Sequence, residues 1–418
     1  MKKLYSLFVL ILFSGLITNA QQLAFPGAEG FGAYATGGRG GTVVHVTNLN
    51  ASGPGSLADA VSRPNRIVVF DVGGVIKLSP ADIIFISDSI TIAGQTAPGE
   101  GITVYGNRVV CNSTNVIIRY LRMRGSIAMS KGKCTFTCDG GNNIILDHCS
   151  ISWGRWDDVH IVGSNTITWQ NCIISEGIDP QRFGAITDGT LNWTVTHCLW
   201  ASNKSRNPKM KCALQYVNNV VYNYGNGIVG GHSAADHYQD VINNYFIAGP
   251  SDNGDSYYSQ WTETDHLYQQ GNYKDLNRDG KLNGTLITDY NNATPMEEPN
   301  LNSTAPLNIE SAQEAYQTVI KTVGASLVRD AHDSRIISEV VSLGTQGSFI
   351  LNESEVGGIG TITGGTAPAD SDNDGMPDSW EQEHGLNPNS DSDINGDINH
   401  NGYTNIEDYI NSLTQHSS

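Results

Sequence analysis

The sequence predicts an all-β fold, a right-handed parallel β-helix, followed at its C-terminal end by a small and very acidic module. Three observations predict it. Charged residues make up only 16% of 418 positions while Gly supplies 46, a balance that favours strands and turns over helical bundles. Short β-rich segments recur through the middle of the chain at intervals in the twenties. Residues 370–418 hold eleven Asp or Glu and no Lys or Arg, so they carry -11 of the net charge of -18. The remaining body is nearly neutral. A chain this acidic offers no basic stripe to phosphates, which argues against nucleic-acid binding.

The N-terminus reads as an export signal. Lys2 and Lys3 precede an apolar run from Leu4 to Ile17, and Thr18, Asn19 and Ala20 are small residues suited to cleavage after Ala20. No Cys follows, so no lipid anchor is expected. The run is short for a membrane span, and no other stretch is apolar enough to cross a bilayer. Residues 1–20 are therefore expected as a cleaved signal, with the mature protein secreted or periplasmic.

Residues 21–356 are expected to form the β-helix. Its repeat is carried by NVIIRYLRMRG from Asn115, NIILDHCSI from Asn143, TITWQNCII from Thr166, NWTVTHCLW from Asn192, YVNNVVYN from Tyr216 and VINNYF from Val241. With His148, Asn171, His197, Asn218 and Asn243 as equivalent positions, the steps are 23, 26, 21 and 25 residues. Leucine spacing for a helix-containing repeat is missing, which leaves a coil of short strands stacked on itself. A β-sandwich is the bland alternative. The seven cysteines are odd in number, and Cys149, Cys172 and Cys198 recur with the repeat. They are expected as buried thiols stacked in successive coils, with a Cys134–Cys138 bridge left open.

From Asn308 the texture changes. IESAQEAYQTVIKTVGA from Ile309 has helical periodicity, and SLVRDAHDSRIISEVVSLG holds a second short helix. These are expected to pack along the solenoid or to cap an open end. Residues 357–369, GGIGTITGGTAPA, read as a linker.

Several segments, in order, resemble family 1 polysaccharide lyases, the pectate lyases: FPGAEGFGAYATGGRGG (residues 25–41), GPGSLADAV (53–61), AGQTAPGEGITVYG (93–106), IILDHCSISWG (144–154), KSRNPKMK (204–211) and VGASLVRDAHDSRI from Val323. The resemblance covers residues 24–344. It implies a right-handed parallel β-helix and Ca²⁺-assisted β-elimination on polygalacturonate. That reaction removes the C5 proton of a uronate, alpha to its carboxylate. Positive charge on the carboxylate stabilises the developing enolate-like state, and a base takes the proton.

The resemblance also implies site residues. The family's R-x-P-x-x-R motif reads Arg206-Asn207-Pro208-Lys209-Met210-Lys211 here. Arg206 takes the place of the proposed base, an unusual role for a group that holds its proton tightly. Lys211 replaces the second Arg, keeping the charge without the bidentate fork. Arg182 stands where the family has a substrate-binding Lys. The family's Asp-x-Asp calcium ligands are replaced by Gly132, Lys133 and Cys134, which leaves Asp157 and Asp158 as the expected groove ligands for Ca²⁺.

Residues 370–418 read as a calcium module. Asp370, Asp372, Asp374, Gly375, Met376 (by its carbonyl), Asp378 and Glu381 occupy positions 1, 3, 5, 6, 7, 9 and 12 of an EF-hand-type loop. Asp397, Asn399, Asn401, Gly402, Tyr403 (carbonyl), Asn405 and Asp408 form a second, less charged loop, expected to bind more weakly. The arrangement also resembles dockerin and thrombospondin type 3 repeats. Asp275, Asn277 and Asp279 form a third near-match that lacks the closing acid and reads as a turn.

Three functions compete at this level: a secreted pectate lyase acting on polygalacturonate as a monomer with Ca²⁺, a β-helical polygalacturonase using paired carboxylates, and a non-catalytic pectin-binding β-helix.

Overall fold

A computed structural model describes residues 21–414 of the chain. The expected signal, residues 1–20, lies outside the described residues. Among those described, no helix is long and apolar enough to cross a membrane. The body is a parallel β-solenoid. Its strands gather into a sheet of 17 and a second sheet of ten. Every strand pair is parallel except the last of the second sheet, where Tyr273 lies antiparallel to Leu286.

Stacking in register explains the alternation seen in each strand. Ile118, Leu146, Trp169, Val195, Tyr216 and Val241 lie one above another through successive strand pairs. All six are fully buried. Each such side chain removed from water contributes about 1.5–3 kcal/mol before entropy is counted. Helices are nearly absent from the body because period-two patterning commits each coil to strands. α1 (Leu57–Ala60) packs Leu57 and Ala60 against the first coils.

The turns between strands follow the repeat read from sequence. His148, Asn171, His197, Asn218 and Asn243 all adopt left-handed backbone, with φ between 50° and 57°. Asn tolerates that region better than most residues, and a stack of such turns bends every coil at the same place. One residue further on, Cys149, Cys172 and Cys198 are buried free thiols, and Asn219, Asn244 and Asn272 continue their column. There the Cys198 amide donates to Asn219 Oδ1 at 2.9 Å, Asn219 to Asn244 at 2.7 Å, and Asn244 to Asn272 at 2.9 Å. All seven cysteines are free, so Cys134 and Cys138 are not bridged.

The glycine-rich segment 25–41 crosses the outside of the first sheet. Main-chain amides of Phe31, Gly32 and Gly38 donate to the hydroxyls of Thr194, Thr168 and Thr91 on three different coils. A Cβ on Gly32 would sit 2.2 Å from the Ile144 carbonyl oxygen, so only glycine lets the strap lie this close.

α2 (Ala312–Thr322) and α3 (Ala331–Val341) cover the second sheet. Tyr316, Val319, Ile336 and Val340 bury against Ile173, Leu199, Val220 and Tyr245. α2 starts with a capping box between Ser311 and Glu314. The helices thus pack along the solenoid. The linker also lies on the body, since the Glu100 amide donates to the Thr363 carbonyl at 2.8 Å. Beyond it, α4 (Asp378–His384) and α5 (Asn405–Ser412) dock on the first coils. Met376, Ile406, Tyr409 and Ile410 share a cluster with Ile67, Val69 and Ala93.

Candidate active groove and acidic tail site

Strand Asp157–Val162 runs beside the start of strand Phe183–Thr196, which runs beside Lys209–Val217. This register places Asp157 next to Phe183, and a bridge joins Phe183 to Ser205. Arg206 therefore projects two coils away from Asp157. Its Nη1 donates to both Asp157 oxygens, at 3.0 and 3.2 Å. Its guanidinium carbon lies 4.5 Å from the centre of the Phe183 ring, which adds a cation–π contact. Burial pushes the Asp157 carboxyl up to about 6, although Arg206 pulls the other way.

A cavity of about 240 Å³ opens beside this pair, lined by Phe183, Lys204, Arg206, Lys209, Asn226 and Gln260 among others. Three cations thus meet at one opening. Burial lowers the proton affinity of Lys209, and the charges of Arg206 and Lys211 lower it further. Lys211 sits in register with Asp188 and is paired with it at 3.4 Å. Arg182 is half-buried next to Phe183, and its Nε has no hydrogen-bond partner among the described residues. On the neighbouring coil His160 is 2.7 Å from Asp139, whose hydrogen bond raises the imidazole's proton affinity ahead of the opposing effect of burial.

Asp157 and Asp158, expected as groove ligands for Ca²⁺, have different surroundings. Successive residues of a strand face opposite ways. Asp157 is spent on Arg206. Asp158 is fully buried, and its Oδ1 accepts the Gly154 amide at 2.8 Å. Burial raises its carboxyl well above the usual range. Among the described residues, no group of three metal-ligating side chains meets in the groove. Asp158 Oδ2 is left without a donor, so the pair offers one free oxygen where a calcium ion takes about six to eight.

The tail is different. Oxygens of Asp370, Asp372 and Asp374 lie within 4.8 Å of one another, as do those of Asp374, Glu381 and Asp393. Asp370 accepts the amides of Asp374 and Gly375 at 3.3 and 2.9 Å, which curls the loop around the acids. Glu381 is fully buried with neither oxygen hydrogen-bonded, and Asp372 likewise has both oxygens without a donor. Burial and the crowding of like charges push Asp374 up to about 7 and Glu381 up to about 8. Buried oxygens without donors fit a hard cation. The Met376 side chain is buried in the apolar cluster, which leaves its carbonyl as its polar group. Asp378 accepts from the Ser371 amide and hydroxyl at 2.7 and 2.8 Å.

The second loop is sealed by its own amides. Asn399 and Asn401 donate to Asp408 at 2.8 and 2.9 Å, and Asp397 accepts the amides of Asn401 and Gly402. Asn405 is committed to Ile398 and to the Asp393 carbonyl. Tyr403 donates its amide to Asn401 Oδ1 at 2.9 Å. The near-match at Asp275, Asn277 and Asp279 is a turn closed by Asn283.

A relative from Aspergillus fumigatus, "Probable pectate lyase C", is 44% identical over 401 residues, covering 94% of each chain. The chain belongs to the pectate lyase family. A relative of the same name from Emericella nidulans is also 44% identical, over 398 residues, 94% of this chain and 93% of that one. A mutant pectate lyase of Bacillus subtilis superimposes with a TM-score of 0.55 at 16% identity, covering 74% of this chain and 99% of the other. A pectate lyase of Bacillus sp. N165 in complex with trigalacturonate gives 0.53 at 17%, covering 72% and 100%. At those identities the likeness shows the fold. No family model matches the chain.

As a pectate lyase the chain is a polysaccharide lyase, and its motif residues can be followed one by one. Arg206 lies in the groove, Lys211 is one coil edge away on Asp188, and Arg182 sits beside Phe183. Sequence reading missed Phe183, Lys204, Lys209 and Gln260 as lining residues, and Asp393 in the tail. Lys204 and Lys209 stand inside the quoted KSRNPKMK, so charge density alone could have marked them. Nothing local marks Gln260, which arrives from two coils further along.

Proposed function

We propose that the chain cleaves polygalacturonate, the acidic backbone of pectin, by β-elimination after export from the cell. The observation that supports this reading is the cluster of Arg206, Lys204 and Lys209 around one opening, in a chain 44% identical to proteins named pectate lyase. A polyuronate brings one carboxylate per sugar, and these cations would offset the charge that grows on C5 and its carboxylate. In the proposed step Arg206 takes the C5 proton, a C4–C5 double bond forms, and the bond from C4 to the glycosidic oxygen breaks. That oxygen leaves with a proton from solvent.

Lys204 and Lys209 place two further positive charges beside Arg206, and Asp157 fixes its guanidinium. Among the described residues no group of three metal-ligating side chains meets in the groove to supply the calcium assistance that the resemblance implies. A second reading is favoured by one observation: Lys209 lines the same opening with a lowered proton affinity. In that reading Lys209 is the base and Arg206 grips the carboxylate.

Incubation with polygalacturonate tests the function. An unsaturated uronide absorbing in the ultraviolet is expected. New reducing ends without that absorbance would assign a hydrolase instead, and binding without chain cleavage a non-catalytic pectin-binding protein.

A further inference from the structure

We propose that the acidic tail is a one-ion clamp: Asp393, from outside the first twelve-residue loop, joins Asp370, Asp372, Asp374 and Glu381 around a single hard divalent cation of the Ca²⁺ class, and filling that site fastens the tail to the outside of the β-helix.

The side chains themselves point to a cation as their ligand. Glu381 is fully buried and Asp374 is 2% exposed, yet both Glu381 oxygens and Asp374 Oδ2 have no hydrogen-bond donor. Both oxygens of Asp372 and Oδ1 of Asp393 are in the same state. Burying so many carboxylate oxygens without donors is strongly unfavourable unless a cation meets them. All the donors are oxygens, with no His or Cys among them, which selects a hard ion. Five acids and the Met376 carbonyl suit the flexible six- to eight-fold shell of Ca²⁺.

Asp393 belongs to this shell by position. It follows α4 and precedes the second loop, so a twelve-residue motif does not contain it. Its Oδ2 accepts the Asn387 amide at 3.1 Å, which leaves Oδ1 for the site. The second loop has no such vacancy in its bonding, because Asn399 and Asn401 already satisfy Asp408. An ion there would first have to break those amide contacts.

The clamp reaches the body through the loop itself. Met376 is buried on Ile67, Val69 and Ala93 beside Ile406 and Ile410 of α5. His45 Nε2 lies 3.3 Å from the Asn373 carbonyl. Arg39 pairs with Glu407 at 2.8 Å, and Arg119 donates to Asn411 at 3.0 Å. Ion binding that orders residues 370–394 therefore orders the docked face as well.

Peptide-resolved hydrogen exchange on the mature chain, titrated with Ca²⁺, tests the clamp independently of turnover. Residues 370–394 should gain protection with one midpoint. Asp393→Asn should raise that midpoint by about tenfold or more, and Asp408→Asn by less than about threefold. Exchange across residues 142–147 reports that the body is folded in each variant. If the Asp393→Asn tail is unprotected at every concentration, Asp372→Asn decides the matter, since that carboxylate accepts no protein hydrogen bond. It must give the tenfold shift. No Ca²⁺-dependent protection in the wild type, an unshifted Asp393→Asn, an unshifted Asp372→Asn, or an equal shift in Asp408→Asn overturns the proposal. None of these outcomes bears on the lyase reading, which the ultraviolet assay judges alone.

Discussion

Asp157 holds Arg206 through both carboxylate oxygens, from a fully buried position two coils away. The proposed base is thus held in place by a buried carboxylate. Such a pair fixes the guanidinium in space, and its strength depends on whether Asp157 is ionised.

Asp157 should therefore set the acid limb of the pH profile. Its carboxyl is pushed up to about 6 from 3.8, chiefly by burial. Above that value the pair with Arg206 is intact, and below it the anchor is lost. For stability the sign is opposite to that of a normal ion pair. The unfolded chain gives up this proton first, so stability falls as pH rises from about 4 to 6. Asp157→Asn should remove the limb near pH 6 in kcat/KM and lower turnover about 10- to 100-fold through misplacement of Arg206. A limb that persists in the variant would assign it to another group.

Exchanging the cations separates the two candidate bases. If Arg206 takes the proton, Arg206→Lys should lose about 2 to 4 orders of magnitude in kcat at saturating substrate. Lys209→Met should then raise KM and leave kcat within about tenfold. The reverse pattern, with kcat lost in Lys209→Met and largely kept in Arg206→Lys, would give the role to Lys209 and leave the lyase reading standing.

Much of this architecture was legible in the chain. The steps between His148, Asn171, His197, Asn218 and Asn243 locate real turns, because a left-handed backbone restricts residue type and the coil repeats it. The two helices after Asn308 were legible from periodicity, since one face must bury. The pairing of Asp157 with Arg206 was not. Two coils separate them, and no local pattern encodes which side chain a solenoid brings into register. Asp158 shows the same limit: adjacent acids look alike in sequence, yet one pairs with Arg206 and the other accepts the Gly154 amide. Asp393 escaped because the loop motif ends twelve residues before it.

The internal asparagine column should be worth more than its individual bonds. Asn244 accepts the Asn219 amide, donates to the Tyr216 carbonyl and to Asn272 Oδ1, and is fully buried. Asn244→Ala would leave the Asn219 amide without its acceptor inside the solenoid and would remove the contacts to the Tyr216 carbonyl and Asn272. A loss of about 2 to 4 kcal/mol in denaturant unfolding is expected. Asn192→Gly, which keeps the left-handed backbone and loses only the contact with Asn165, should cost less than about 1 kcal/mol. Equal costs would remove the internal column from the account of stability.

Glu29 should make stability fall across neutral pH. It lies in the glycine-rich strap, where Oε2 accepts the Asn308 amide at 3.2 Å. Burial pushes its carboxyl up to about 7 from 4.5; that amide contact opposes the rise, while the nearby acids Asp147 and Glu310 add to it. The folded state therefore keeps this proton over a range in which the unfolded chain has released it. Stability contributed by the protonated form is lost as pH rises from about 4.5 to 7, and the penalty is constant above that. Because the side chain is partly exposed, screening limits the effect to about 1 kcal/mol. Glu29→Gln should be more stable than the parent by that amount at pH 8 and within a few tenths of a kcal/mol at pH 5. Unfolding midpoints measured at both pH values check this. A difference that does not change with pH would mean that Glu29 does not keep its proton in the folded strap.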